Sequence, residues 1–276
     1  MIGKNMKSVV EIIIDAGRAI LEVYNSSDFG VETKKDNSPL TIADLKSNTV
    51  IIEGLSKLLI DGSILPILSE EGKDVPYEER QNWKKYWLID PLDGTKEFIK
   101  KNGEFTVNIA LIEDGIPTVG FVYIPVTDIL FFGSKETGSF KTTEASRKED
   151  SNILDNSEKL AISKNIPDTV KVVASRSHLT NETEDYILGL GKRFNKVSTV
   201  SSGSSIKLCM VADGSAQVYP RFAPTMEWDT AAAHAVCRYA GVRVIDYKTK
   251  EELKYNKINL LNNWFLVSSN VKFEEI

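Results

Sequence analysis

In the stretch WLIDPLDGTKE, residues 87–97, an apolar run ends in two aspartates. Asp90 and Asp93 lie three residues apart, with a proline between them and a Gly-Thr pair behind them. The run predicts a buried strand, at whose end uncompensated negative charge is costly. Because proline ends strand pairing, we expect a turn at which both side chains converge. A divalent cation would compensate them, since Mg²⁺ prefers hard oxygen ligands.

Two mechanistic schemes fit a motif of this kind, besides a simple turn with an aspartate cap. Phosphatases of the haloacid-dehalogenase type carry Asp-x-Asp-Gly-Thr, in which the first aspartate is the nucleophile and the second, two residues on, is the acid. Asp90 and Asp93 are three residues apart with Pro91 between them, so we exclude that scheme. Metal-assisted hydrolysis remains, with the aspartates as ligands and water as the nucleophile.

Three further acidic residues are candidates for the same site. Glu70 follows the apolar run 64–68, and Asp229 begins a helix of small residues. Each has a structural alternative, since Glu70 can be a solvated loop residue and Asp229 a helix cap. Asp44, three residues after Thr41, is typical of a capping box.

Composition limits the class of protein. The chain has 276 residues, 42% hydrophobic and 26% charged, which is ordinary for a globular protein. A net charge of -5 provides no basic surface for nucleic acid. Two cysteines and two histidines are too few for a disulfide framework or a Cys/His zinc site and fit the reducing cytoplasm. The sequence contains no run of ~18 apolar residues, the length that would predict a transmembrane segment. Nothing in the composition supports peripheral attachment to a membrane.

The order of predicted elements divides the chain into two unlike halves. Residues 1–145 predict an α+β domain of two helices against a largely antiparallel sheet, which carries most of the candidate metal ligands. Residues 141–157 are polar and indicate a boundary. Residues 158–276 alternate strands and helices, which predicts an α/β domain that carries Asp229. The fold class is therefore α+β with α/β, and we expect a cleft between the halves.

These motifs together resemble the inositol monophosphatase superfamily of lithium-sensitive, Mg²⁺-dependent phosphomonoesterases. The resemblance rests on Glu70, on DPLDGT at 90–95 and on Trp228-Asp229, and it extends over residues 34–268. Four stretches are similar to the 3'(2'),5'-bisphosphate nucleotidase branch; they are KKDNSPLT (34–41), SRSH (175–178), GSSIK (203–207) and YPRFAPTMEWD (219–229). The resemblance implies a layered αβαβα sandwich. It also implies a small-molecule substrate, adenosine 3',5'-bisphosphate, which loses its 3'-phosphate to a metal-activated water.

The resemblance also implies a set of metal ligands. A first Mg²⁺ would be held by Glu70, Asp90 and the carbonyl of Leu92. A second would be held by Asp90, Asp93 and Asp229, and a third, weaker ion is allowed near Glu70. Two ions of this kind stabilise both the attacking and the leaving oxygen of an in-line displacement.

The remaining roles that the resemblance implies concern the water and the substrate. Asp44 and Thr95 would orient and deprotonate the attacking water, with Glu70 as a third catalytic residue. Backbone N–H groups at Gly94 and Thr95 would bind the scissile phosphate. The rest of the nucleotide would contact five residues, namely Ser177, His178, Ser204, Lys207 and Arg221. The alternatives are ordinary surface cations for the last two and an exposed loop histidine for His178.

Two other functions remain open on the sequence alone. One is an inositol monophosphatase, or a broader sugar-phosphate phosphatase, which would have no use for a second anion site. The other is a non-catalytic sensor that binds metal or nucleotide. A sensor is expected to lack part of the catalytic set, whereas this chain retains all of it.

Overall fold

The computed structural model of the chain describes residues 5–26, 30–33, 39–147, 153–163, 165–175 and 180–276. Ser177, His178 and residues 34–38 of the stretch KKDNSPLT lie outside the described residues. No helix in the described part is long and apolar enough to cross a membrane.

The larger of two main sheets has seven strands in sequence order, and all of its neighbouring pairs except the first are antiparallel. A two-stranded ribbon, β1 (Glu32–Thr33) with β2 (Pro39–Leu40), precedes it in the chain. The seven strands are β3 (Ile67–Ser69), β4 (Lys85–Asp93), β5 (Thr106–Glu113), β6 (Ile116–Ile124), β7 (Ile129–Ser134), β8 (Gly138–Thr143) and β9 (Glu158–Leu160).

The second main sheet has five strands in the order β11-β10-β12-β14-β13. These are β10 (Thr169–Ser175), β11 (Lys196–Ser202), β12 (Val218–Arg221), β13 (Arg243–Asp246) and β14 (Phe265–Ser268). The helices are α1 (Met6–Tyr24), α2 (Ile42–Leu55), α3 (Tyr77–Arg80), α4 (Thr95–Ile99), α5 (Asn181–Arg193), α6 (Ile206–Ala212) and α7 (Glu227–Ala240).

Helices and sheets alternate in five layers. Helices α1 and α2 share one apolar cluster with the outer face of the larger sheet. Helices α6 and α7 share a second cluster with the inner faces of both sheets, and α5 packs in a third on the far face of the smaller sheet. The expected αβαβα sandwich is confirmed.

The predicted division at residues 145 and 158 stays a prediction. Strand β9 begins at Glu158, the first residue of the proposed second half, yet it pairs with β8 of the larger sheet. Helix α7, also from the second half, packs across strands β5, β6 and β7.

The aspartate motif differs from its prediction. Pro91 does not end strand pairing, because β4 continues through it, with Asp90 opposite Asn108 and Asp93 opposite Thr106. A bulge between these pairs sets Pro91 and Leu92 against a single residue of β5. Residues three apart on a regular strand face opposite sides, whereas one extra residue returns both aspartates to the same side.

Helix α7 packs very closely on the larger sheet, at two glycines that face each other. Gly120 on β6 pairs with Gly133 on β7. A Cβ at Gly120 would lie 2.0 Å from the carbonyl oxygen of Ala232, and one at Gly133 would lie 3.1 Å from the Cα of Val236. The helix offers small side chains in return, so its backbone approaches the strands and its first turn, with Asp229, reaches the edge of the sheet.

We predict that Gly120→Ala lowers the free energy of unfolding by about 1–3 kcal/mol, because the new methyl group must displace the α7 backbone. The matched control is Gly191→Ala near the end of α5, where an added Cβ meets nothing within 4 Å. That change should be neutral or stabilising by up to about 1 kcal/mol. Chemical denaturation measures both, and equal stability of the two variants would contradict the close packing of α7.

Candidate active site

A cleft of about 480 Å³ lies where the ends of the two sheets meet. Most of the predicted site residues line it; they are Glu70, Asp93, Gly94, Thr95, Ser204, Lys207, Arg221 and Asp229. Asp44, Asp90 and Leu92 are buried, each with at most 2% of its surface exposed. Ser177 and His178 lie outside the described residues, so their predicted contacts stay predictions.

Three carboxylates converge from distant parts of the chain. Glu70, Asp90 and Asp229 each offer an oxygen, and these atoms all lie within 4.8 Å of one another. Strand β3 runs parallel to β4, and the N–H of Glu70 donates to the carbonyl of Ile89 at 3.2 Å, next to Asp90. Asp229 is held by the first turn of α7, where its Oδ2 accepts the N–H of Met226 at 2.9 Å.

The electrostatics of this cluster are unfavourable without a cation. Burial raises the pKa of Asp90 well above its ordinary value, and three neighbouring carboxylates raise it further. Those neighbours are Glu70, Asp93 and Asp229. Loss of surrounding water is also the largest cause of the raised pKa of Asp229, followed by the charges of Asp93 and Glu70.

Asp90 gives the clearest evidence that a metal fits here. Its Oδ1 accepts the N–H of Leu92 at 3.1 Å, whereas Oδ2 is buried and has no hydrogen-bond partner among the described residues. An unsatisfied carboxylate oxygen in the interior is costly. A divalent cation removes that cost, and an all-oxygen donor set suits Mg²⁺.

Asp93 is held differently from Asp90. Its Oδ2 lies within hydrogen-bond distance of three donors, the hydroxyl of Ser204 at 2.7 Å and the N–H and hydroxyl of Ser205 at 2.7 and 2.8 Å. The Ser205 hydroxyl is equally close to the carbonyl oxygen of Asp229. The two serines form the turn between β11 and α6, so this carboxylate joins the two sheets. The hydroxyl of Ser204, predicted to contact substrate, is thus already bonded within the protein.

Sequence reasoning missed three residues around Asp93, namely Thr106, Asn108 and Ser205. All three are buried and joined by hydrogen bonds. One signal was available, because Thr106 and Asn108 lie two residues apart at the start of the otherwise apolar strand TVNIALIE and therefore share a face.

Asp44 combines a structural and a chemical contact. Its Oδ2 accepts the N–H and the hydroxyl of Thr41 at 2.8 and 2.6 Å, which completes the predicted capping box. Its Oδ1 accepts the hydroxyl of Thr95 at 3.1 Å. One carboxylate oxygen therefore caps the start of α2, while the other accepts a hydrogen bond from a residue that lines the cleft.

Gly94 allows the chain to turn from β4 into α4. Its φ of 97° lies in the left-handed region, and a Cβ there would meet the carbonyl oxygen of Glu104 at 3.1 Å. The following Thr95 is the first residue of α4, and its backbone lines the cleft beside Asp93.

Two cations lie on the other side of the cleft from the β4 motif. Lys207 is only 6% exposed, its Nζ donates to the carbonyl of Ser204 at 2.6 Å, and it lies 5.6 Å from the ring centre of Tyr219. Burial lowers the pKa of Lys207 to about 8, Asp93 opposes that shift and Arg221 adds to it. The alternative of a surface lysine is therefore wrong.

Arg221 ends β12 and is only partly satisfied. One Nη donates to the carbonyl of Pro224 at 2.9 Å, while Nε is buried without a partner among the described residues. Two cations in one cleft repel each other, and the buried Lys207 is costly without a counter-charge. The arrangement therefore suits an anion bound between them.

Comparison with known proteins agrees with this geometry. The model of the inositol monophosphatase family matches residues 5–272. The 3'(2'),5'-bisphosphate nucleotidase CysQ of Salmonella typhimurium is 43% identical over 265 residues, which are 95% of this chain and 99% of the relative. Its counterpart in Escherichia coli is 44% identical with the same coverage.

Solved structures agree as well. The crystal structure of CysQ from Bacteroides thetaiotaomicron, a bacterial member of the inositol monophosphatase family, matches with a TM-score of 0.85 and 47% identity over 96% of this chain and 97% of that one. An IMPase from Thermotoga maritima, 20% identical with a TM-score of 0.75, shares the fold. Since the match covers nearly all of the chain, including every candidate metal ligand, the chain belongs to the inositol monophosphatase family.

Proposed function

We propose that this chain is a Mg²⁺-dependent 3'(2'),5'-bisphosphate nucleotidase, which hydrolyses adenosine 3',5'-bisphosphate to AMP and phosphate. The observation that carries the proposal is one cleft lined both by the carboxylate cluster and by Lys207 and Arg221. A phosphate at the carboxylates needs a metal, and a second phosphate on the same molecule needs cations. The names of the relatives that are 43–47% identical support the same substrate class.

The carboxylates would hold the metal in the arrangement expected from the sequence. Glu70, Asp90 and the carbonyl of Leu92 would form one set of ligands, and Asp90, Asp93 and Asp229 would form the other. When bound, Mg²⁺ lowers the pKa of a coordinated water and stabilises negative charge on the phosphate oxygens. Two ions, with a third allowed near Glu70, are part of the proposal.

Asp44 and Thr95 would accept the proton of the attacking water. The hydroxyl proton of Thr95 is directed at Asp44 Oδ1, so the oxygen of that hydroxyl can accept a hydrogen bond from a water in the cleft. Asp44 then receives the proton through Thr95 as the water attacks phosphorus. The capping bonds from Thr41 hold the Asp44 carboxylate in one orientation, which favours transfer in a fixed direction.

Lys207 and Arg221 would contribute through binding. Both are held by backbone carbonyls, so little side-chain freedom remains to be lost when a phosphate arrives. Contacts with the 5'-phosphate, away from the reacting bond, can orient the 3'-phosphate at the carboxylates. An inositol monophosphate has no second phosphate for these residues, which favours the nucleotide.

A non-catalytic sensor is the less favoured alternative. The expected catalytic and metal-binding side chains are all present, and those that the structure describes meet around one cleft. A location in the reducing cytoplasm stays a prediction from composition.

We predict that the wild type releases phosphate from adenosine 3',5'-bisphosphate with a higher kcat/KM than from inositol 1-phosphate, and only with a divalent cation. Arg221→Ala should lower kcat/KM for the bisphosphate by about 10- to 100-fold, because hydrogen bonds to charged groups contribute about 1.5–3 kcal/mol. The rate with inositol 1-phosphate should change much less.

The matched control is Arg147→Ala, because Arg147 is exposed, forms an ion pair with Glu144 and does not line the cleft. It should leave both substrates unaffected. A preference for inositol 1-phosphate, together with no effect of Arg221→Ala, would refute the nucleotide proposal. Activity that persists in excess chelator would refute the metal-dependent mechanism.

We further predict that Thr95→Val lowers kcat by about 10²–10⁴-fold, the usual contribution of general acid–base groups, while Mg²⁺ affinity and melting temperature stay close to the wild-type values. Thr95→Ser keeps the hydroxyl and should retain most of the rate. Thr49→Val, which removes a hydroxyl from the exposed side of α2, is the control. Wild-type kcat in Thr95→Val would exclude this route for the proton.

A further inference from the structure

A ring of buried hydrogen bonds lies behind Asp93 and includes residues with no assigned role. Thr106 and Asn108 are on β5, at 0% and 1% exposure. The hydroxyl of Thr106 donates to Asn108 Oδ1 at 3.0 Å, and Asn108 Nδ2 donates to the hydroxyl of Ser205 at 2.9 Å. Thr106 and Ser204 share a further hydroxyl contact of 2.6 Å. Ser204 donates to Asp93 through its hydroxyl and Ser205 through its N–H, so the ring closes on that carboxylate. The single hydroxyl proton of Ser205 has two acceptors at 2.8 Å, Asp93 Oδ2 and the carbonyl oxygen of Asp229.

The bulge in β4 explains why these two residues are the partners. It places Asp93 opposite Thr106 and Asp90 opposite Asn108, so two adjacent cross-strand pairs bring polar groups to the same face. On a regular strand one of the two aspartates would face the other side. The polar pair on β5 therefore matches the bulged pair on β4.

The turn that the ring holds is strained and crowded. Ser204 has a φ of 54°, which costs a residue with a side chain about 1–3 kcal/mol. A Cβ at the preceding Gly203 would lie 2.7 Å from the carbonyl oxygen of Glu104, so this turn approaches the start of β5 closely. Such a conformation persists only when its surroundings fix it. Here Ser204 contacts the hydroxyl of Thr106 and donates to Asp93, while Asn108 donates to the neighbouring Ser205.

We propose that Thr106 and Asn108 are positioning residues for the metal ligand Asp93. Through Ser204 and Ser205 they hold the hydrogen-bond donors that surround Oδ2 of Asp93, which directs ligation to Oδ1. This inference rests on the proposed function, since it assigns Asp93 to a metal. The same turn carries the carbonyl that binds Lys207, so the residues that hold the metal ligand also hold the cation for the second phosphate.

A purely structural role of Thr106 and Asn108 would predict that their replacement leaves the metal affinity unchanged. Buried polar groups often contribute little net stability compared with apolar residues of the same shape. Residues that orient a metal ligand, in contrast, typically change metal affinity or activity by about 10–100-fold when they are replaced. Metal affinity therefore separates the two roles.

The test measures Mn²⁺ affinity by isothermal titration calorimetry and the Mg²⁺ dependence of hydrolysis, in the full-length chain. Thr106→Val and Asn108→Leu should weaken Mn²⁺ binding about 10-fold or more. The Mg²⁺ concentration for half-maximal rate should rise by a similar factor, while kcat at saturating Mg²⁺ returns towards the wild-type value. Thr106→Ser keeps the hydroxyl and should restore both.

The matched control is Thr142→Val, which removes a hydroxyl that is also buried in the larger sheet, on β8. It can lower the melting temperature but should leave Mn²⁺ affinity at the wild-type value. If Thr106→Val, Asn108→Leu and Thr142→Val all bind Mn²⁺ as the wild type does, the positioning role is wrong while the proposed function stands. If the wild type itself binds no Mn²⁺ and hydrolyses no nucleotide, the proposed function fails and this inference fails with it.

Discussion

The buried negative charge of Asp90 is the constraint on which the rest of the site depends. This carboxylate follows the apolar run of β4, and one of its oxygens has no hydrogen-bond partner among the described residues. Burial and three further carboxylates raise its pKa. The protein could have satisfied that oxygen with a hydrogen-bond donor, as it does with the capping bonds of Asp44. Because the described residues offer no donor to Oδ2 of Asp90, a divalent cation is the group that would balance its charge. Metal-dependent chemistry follows from that need.

The architecture supplies the geometry that such a site requires. A one-residue bulge turns Asp90 and Asp93 to the same face, and a pair of glycines lets α7 deliver Asp229 from the other end of the chain. The β11–α6 turn then ties Asp93 to the cation Lys207. The parts of the molecule that we propose bind the metal and the second phosphate thus share hydrogen bonds, which suits a substrate that carries two phosphates on one nucleoside.

The element pattern predicted two unlike halves, and the resemblance implied the layered fold and the candidate metal ligands, three of which the structure brings together. Glu70 and Asp90 could be selected before their proximity was known because they follow apolar runs, and charged residues are seldom buried without a partner. Asp229, at the start of a helix, was selected through the resemblance. The route of the chain at Pro91 was predicted wrongly, because a bulge and a strand end have the same local sequence. The roles of Thr106, Asn108 and Ser205 depend on contacts about 100 residues apart in the chain, such as Asn108 to Ser205 (97 residues), which single-sequence patterns do not encode.

The most direct test of the account compares the free energies of unfolding of the wild type and Asp90→Asn at neutral pH, in chelator and in Mg²⁺. A raised pKa in the folded state means that the metal-free protein loses stability as pH rises above the unfolded-state value of about 4. We therefore predict that in chelator Asp90→Asn is the more stable by at least about 1 kcal/mol. In Mg²⁺ the order reverses, because only the wild type keeps its full set of ligands. A wild type that is the more stable form in chelator, and that gains nothing from Mg²⁺, would contradict the account.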